Sequence, residues 1–218
     1  MLQTFQSAEA RYNASLSTAT LDRQESIDPS KLRIIRYSKP HDICEGREIH
    51  LGIQAGGFPF DCLGHHFRSV EHLYLMGEWS LPGDEFKAIH EDIQTSTSGW
   101  AAKRYKKPKY YRKIREDFKT FRHQWMLWCI WQKCLGNSDF RQHLLSMSDD
   151  AIIVEVVPKD KVWAAYPNPE TGLLEGANAV GKILTICRRC LIKQTEPQID
   201  TELLNRSNIY ILGDRVQF

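Results

Sequence analysis

The chain has 218 residues, 42% hydrophobic and 26% charged, which is enough material for one large globular domain with its own core. Its 29 basic and 27 acidic side chains leave a formal net charge of +2, so neither a polycation nor a polyanion is indicated and the location of the charges matters more than their sum. No run of about 18 or more uninterrupted apolar residues is present and no basic-then-apolar leader opens the sequence, so an apolar spanning helix is excluded and a cytoplasmic protein is expected.

Residues 1–30 are rich in Ser, Thr, Ala and Gln with few large apolar side chains, and are expected to form a loosely ordered N-terminal arm. The main domain is expected over residues 31–193, with 194–218 as a C-terminal extension packed on it. "LRIIRYS", Leu32 to Ser38, reads as a strand, and the Gly- and Pro-punctuated stretch from "REIHLG" to "GGFPFDCLGHHF" as further short strands. "SVEHLYLMGEW" follows as a helix, with Ser69 at the N-cap and Glu71 in a first turn where the helix dipole favours a carboxylate.

The clearest helix is "DFKTFRHQWMLWCIWQKC", in which Phe118, Phe121, Trp125, Trp128, Cys129 and Gln132 recur at steps of three or four; this aromatic stripe is core. A short helix "SDFRQHLLSM", a strand "AIIVEVV", a Gly- and Pro-containing loop and a helix "NAVGKILTICRRCLIK" come next, and the tail ends in a possible strand "IYIL". Strands and helices alternate without a regular βαβ rhythm, which predicts an α+β fold, a small mixed sheet surrounded by helices.

Six cysteines, Cys44, Cys62, Cys129, Cys134, Cys187 and Cys190, are dispersed through core-like segments, so reduced thiols are expected. Cys187 and Cys190 form a CxxC without a second pair and read as structural, and His65, His66 and His72 lack metal-ligand spacing and read as surface or loop residues. No GxGxxG or P-loop occurs, and neither a metal nor a cofactor is expected.

The segment "AAKRYKKPKYYRKIR" carries Lys103, Arg104, Lys106, Lys107, Lys109, Arg112, Lys113 and Arg115 with no acidic residue, interleaved with Tyr105, Tyr110 and Tyr111. Such a run can follow phosphates while its rings stack on bases, and Lys103, Arg104, Lys106, Lys107, Lys109 and Arg112 are the candidate DNA contacts. A solvated basic face is the competing reading. Three carboxylates, Glu71, Glu155 and Asp160, suit glycosidic cleavage, in which one carboxylate supports an oxocarbenium-like sugar and an acid assists the leaving group.

Together the helix-opening "SVEHLY", the small-residue "GWAAKR", the aromatic helix ending in Lys133, the series Glu155, Asp160, Trp163 and the closing Gly176, Asn178, Gly181 resemble the NADAR (YbiA-like) superfamily over roughly Leu32 to Lys193. The resemblance implies an N-glycosidase acting on ADP-ribose-like or phosphoribosyl-like compounds. The branch most resembled removes ADP-ribose from guanine, as antitoxin to a DNA-modifying ADP-ribosyltransferase toxin. Alternatives are a metabolite N-glycosidase acting on phosphoribosylamino-pyrimidines of the riboflavin pathway and a non-enzymatic reader of ADP-ribose or DNA. Glu78, Ala164 and "GIQAGG" stand where the family usually has a lysine, a glycine and a Ser-Asn-Phe loop.

On this reading Glu71 and Asp160 carry the reaction, and Lys39 is a further candidate, as an amine able to trap an opened ribose aldehyde. Trp163 is expected to stack, Asn178 to bond hydroxyls and Gly181 to let phosphate approach a helix start, with Arg36 and Arg188 meeting a diphosphate and Glu155 lining the cleft or holding its loop.

Overall fold

In the computed structural model, which describes residues 7–39, 42–44, 46–103, 108–148 and 150–218, the side chains of 108 and 109 aside, helix α1 (Ala8–Ser15) precedes strands β1 (Glu25–Ile27), β2 (Ile34–Tyr37), β3 (Asp42–Cys44), β4 (Arg47–Ile49), β5 (Phe60–Cys62) and β6 (His65–Phe67). Helices α2 (Val70–Met76), α3 (Asp84–Thr95), α4 (Gly99–Ala102), α5 (Pro108–Tyr111), α6 (Phe118–Gly136) and α7 (Ser138–Leu145) come next. Strands β7 (Ile152–Glu155), β8 (Tyr166–Pro167) and β9 (Leu174–Gly176) then lead to α8 (Ala179–Lys193), α9 (Thr201–Arg206) and a hairpin of β10 (Tyr210–Ile211) with β11 (Asp214–Arg215). Short antiparallel pairs, one parallel pair and separate helices make the fold α+β, as the sequence predicts. The chain builds two compact units, each from two segments: residues 1–52 with 141–197, and 53–140 with 198–218.

In the first unit β2 and β7 run parallel, in register from Ile34 opposite Ile152 to Tyr37 opposite Glu155. Ile152, Ile153 and Val154 are all buried, which is why β7 reads as an unbroken apolar run rather than an alternating one. Ile27 of β1 and Leu174 of β9 complete one side of this core with Val156 and Ala165.

The segment 7–30 differs from the loose arm expected from the composition of residues 1–30, of which 1–6 lie outside the described residues. β1 pairs antiparallel with β9, and Leu16, Leu21 and Ile27 are buried. Two cations of α8 tie it down. The fully buried Lys182 donates to the carbonyls of Thr20 and Arg23 at 3.0 and 2.8 Å and pairs with Glu25 at 3.0 Å, while Arg189 donates to the carbonyls of Asn13, Ala14 and Leu16 that terminate α1. A few well-placed apolar residues and buried cations suffice where mean composition suggests none.

In the second unit α6 buries the predicted stripe. Trp125 and Trp128 stack at 5.0 Å, and Phe218 at the chain's end sets its ring edge-on to both. Arg115, at the end of the basic run, is buried: it forms a two-pronged pair with Asp117 and donates to the carbonyls of Ser80 and Ser207, so it anchors the C-terminal segment. Helix α3, absent from the expected elements, buries Ile89, His90 and Ile93 at one helical face.

Lys133 of α6 is only 1% exposed, with its ammonium 4.2 Å from the ring centre of Phe140 and 5.4 Å from that of Phe58. Burial pulls its pKa down to about 8. Folding therefore expels a proton between pH 8 and the unfolded value of 10.5, and the contribution of this group to stability rises with pH across that window and is flat below it. The whole rise amounts to about 3 kcal/mol. Lys133→Met is expected to abolish it and to leave the protein equally or more stable at pH 7, by up to about 3 kcal/mol. Urea unfolding of both proteins at pH 7 and 9.5 reads this out; a difference between the two proteins that is the same at both pH values would refute it.

Candidate active site

At the end of β7 the chain turns at Pro158 through a left-handed Lys159 (φ 69°) and returns beside the strand, the Ala165 N–H donating to the Glu155 carbonyl at 2.8 Å. Asp160 governs this loop. Its Oδ1 accepts from the backbone N–H groups of Val162 and Trp163, both at 2.9 Å, whereas its Oδ2 has no hydrogen bond among the described residues. One oxygen thus locks the turn and the other stays open on a half-buried side chain. Trp163, also half-buried, follows directly.

The loop is clamped to the start of α8. Carbonyls of Lys161, Ala164, Val162 and Trp163 accept from the N–H groups of Ala177, Asn178, Ala179 and Val180 at 2.9 to 3.3 Å. The first donors of α8, Ala179 and Val180, which Gly181 was expected to open to a phosphate, are therefore already paired. Gly181 serves packing instead, because a Cβ there would lie 2.2 Å from the Ile153 carbonyl oxygen and only glycine lets α8 cross β7 this closely.

Asn178, expected to bond substrate hydroxyls, is fully buried in the left-handed conformation. Its Nδ2 donates to the Ile153 carbonyl at 2.8 Å and its Oδ1 accepts from the Glu155 N–H at 3.1 Å. The side chain pairs with β7 as a neighbouring strand would, which fixes Glu155 at the strand's end.

Tyr37, opposite Glu155 in the register, was not singled out by sequence. Its phenol is buried without a hydrogen bond among the described residues, and burial first, then the charge of Glu155, holds its pKa well above the ordinary value. Arg36 and Lys39 are exposed; the Lys39 N–H donates to Asp42 in the turn after β2. Arg188, expected at a diphosphate, instead donates to the carbonyls of Leu144 and Leu145 at the end of α7. Its charge complements that helix terminus.

In the second unit Glu71 lies in the first turn of α2, 1% exposed, with its N–H donated to the Ile53 carbonyl at 2.9 Å. Its Oε1 is 3.4 Å from the ammonium of Lys103. Ser69 holds the N-cap position, but its hydroxyl lies 2.8 Å from Nδ1 of His72, whose Nε2 lies 3.2 Å from the Ser96 carbonyl. A carbonyl can only accept, so Nε2 carries the proton and Ser69 donates to Nδ1. His72 is therefore a buried neutral bridge rather than a loop residue, and burial lowers its pKa.

The basic run divides. Lys103 pairs with Glu71, Lys113 with Glu85 and Arg115 with Asp117, while Arg112 is exposed. Arg104, Lys106 and Lys107 lie outside the described residues, as does the side chain of Lys109. Trp100, 72% exposed on α4, is a large aromatic beside this run that the sequence reading did not pick out. Among the described residues no group of three or more His, Cys, Asp or Glu could hold a metal ion, and no helix is long and apolar enough to cross a membrane.

A family model described as NADAR domain matches residues 46–192. Among solved structures, the NMR structure of the E. coli protein YbiA is similar with a TM-score of 0.57 at 20% identity, over 74% of this chain and 86% of that one. No curated protein matches.

Proposed function

The chain belongs to the NADAR domain family, a family associated with N-glycosidase activity, and from that premise we propose that it hydrolyses the bond between ADP-ribose and a modified guanine in DNA or nucleotides. In that reaction water adds to the anomeric carbon, the carbon–nitrogen bond breaks and the base nitrogen takes up a proton. The observation that carries the reading is Asp160: a carboxylate held rigid through Oδ1 with Oδ2 open can receive the attacking water's proton without reorganising. Glu71 is assigned to support positive charge on the sugar and Trp163 to stack on base or ribose. The role of antitoxin to an ADP-ribosyltransferase toxin belongs to the same proposal.

An oligonucleotide carrying ADP-ribosyl-guanine, incubated with the purified protein, is expected to return to its unmodified mass with release of ADP-ribose. Absence of turnover there, with ADP-ribose still bound, would make the protein a reader instead. The pairing of Lys103, Lys113 and Arg115 inside the second unit removes three cations from the basic run and favours a second reading, a small-metabolite N-glycosidase. Turnover of a phosphoribosylamino-pyrimidine, and none of the oligonucleotide, would select it.

A further inference from the structure

Helix α4 and its cap, Ser98 to Lys103, form a short device pressed against the start of α2. Ser98 caps the helix by accepting from the Ala101 N–H at 3.1 Å, and Ala101 and Ala102 are buried. Gly99 has no room for a side chain: a Cβ would lie 3.0 Å from the Glu71 Cβ, 3.0 Å from the Ser69 hydroxyl and 3.1 Å from the Gln54 Cα. Lys103, four residues on and hence on the same helical face, brings its ammonium to Glu71. The two partners differ in burial, the Glu71 side chain being 2% exposed and that of Lys103 38%. A carboxylate so buried stays ionised at low cost only with a cation beside it.

We propose that Lys103 is a positioning residue for Glu71, holding that carboxylate ionised and aimed, rather than a phosphate contact of the basic run. The assignment rests on the proposed role of Glu71 in supporting sugar cation charge. Other charged or titratable groups surround this stretch of α2. Among the described residues they include His72 with Arg68 acting on it, Tyr74 with Glu71, Glu78 and Arg122 acting on it, Cys129 on α6, His90 on α3, and His65 and His66 on β6. Burial lowers the pKa of both His72 and His90, and the charge of Glu78 has the same sign as that of Glu71.

Two measurements decide the role. In Lys103→Met the acidic limb of the pH profile of kcat is expected to move up by about one to two pH units, with KM changed less than about twofold, and Lys103→Arg to restore the limb. A phosphate contact would instead raise KM and lower the salt dependence of nucleic-acid binding by about one unit of slope, leaving the limb in place, and that result overturns the proposal. Thermal unfolding of Glu71→Gln, Lys103→Met and the double variant tests the pair without turnover: each single change is expected to lower the midpoint and the double variant to recover most of the loss. Additive losses overturn the pairing whether or not the protein is an N-glycosidase, whereas an inactive wild type with strong coupling removes only the functional reading.

Discussion

Gly181→Ala is expected to cost more than about 3 kcal/mol of stability, at the upper end of what overpacking causes. The added Cβ would sit 2.2 Å from the Ile153 carbonyl oxygen and 2.6 Å from both ends of the Asn178 amide. None of these atoms can move cheaply. The Ile153 carbonyl accepts from Asn178, which in turn holds the Glu155 N–H, and β7 is bonded to β2 on its other side. Relief requires lifting α8, which would also break the bonds between its first turn and the 161–164 loop. Gly172→Ala provides the control: that residue has φ +72° but open space around it, so its cost is about 1 kcal/mol of backbone strain. Urea unfolding of the two variants should separate them clearly, and equal midpoints would show that α8 does not depend on this contact.

Asp160→Asn is expected to lower kcat by about 10²-fold or more while leaving the fold intact. Asparagine keeps an oxygen able to accept from Val162 and Trp163, so the turn and its clamp on α8 survive and only the charge disappears. Stability within about 1 kcal/mol of wild type would confirm that the structural half of the residue has been retained. Glu71→Gln should bring a comparable loss of kcat, accompanied by a stability change because it also breaks the pair with Lys103. Single-turnover hydrolysis of the modified oligonucleotide measures both. Asp160→Asn at more than about a third of wild-type rate would end its assignment to the chemistry.

The contrast between Asp160 and Asn178 shows where sequence reading stops. Both are short polar residues in the same motif series, and spacing alone gives each an equal claim on a ligand. The structure separates them by hydrogen-bond capacity: Asn178 has both ends of its amide engaged by β7, and Asp160 has one oxygen remaining. Arg188 and Lys103 likewise read as ligand-binding cations, and each meets an internal partner, a helix terminus and a buried carboxylate respectively. His72 lacks metal-ligand spacing and so reads as a surface or loop residue; its burial follows from Ser69 and the Ser96 carbonyl supplying both of its ring partners.

By itself the sequence determined the elements whose residues repeat with a helical or strand period. Those are α6 with its aromatic stripe, the apolar β7, and α8, together with the α+β class and the order of motifs that marks the family, because periodic burial is a local property written into side-chain spacing. The tertiary structure alone decided which polar residues hold the fold and which remain open to chemistry. Hydrogen-bond partners come from segments distant in the chain: Lys182 reaches the N-terminal segment, Asn178 reaches β7, and Lys103 reaches Glu71, and no local pattern encodes those meetings.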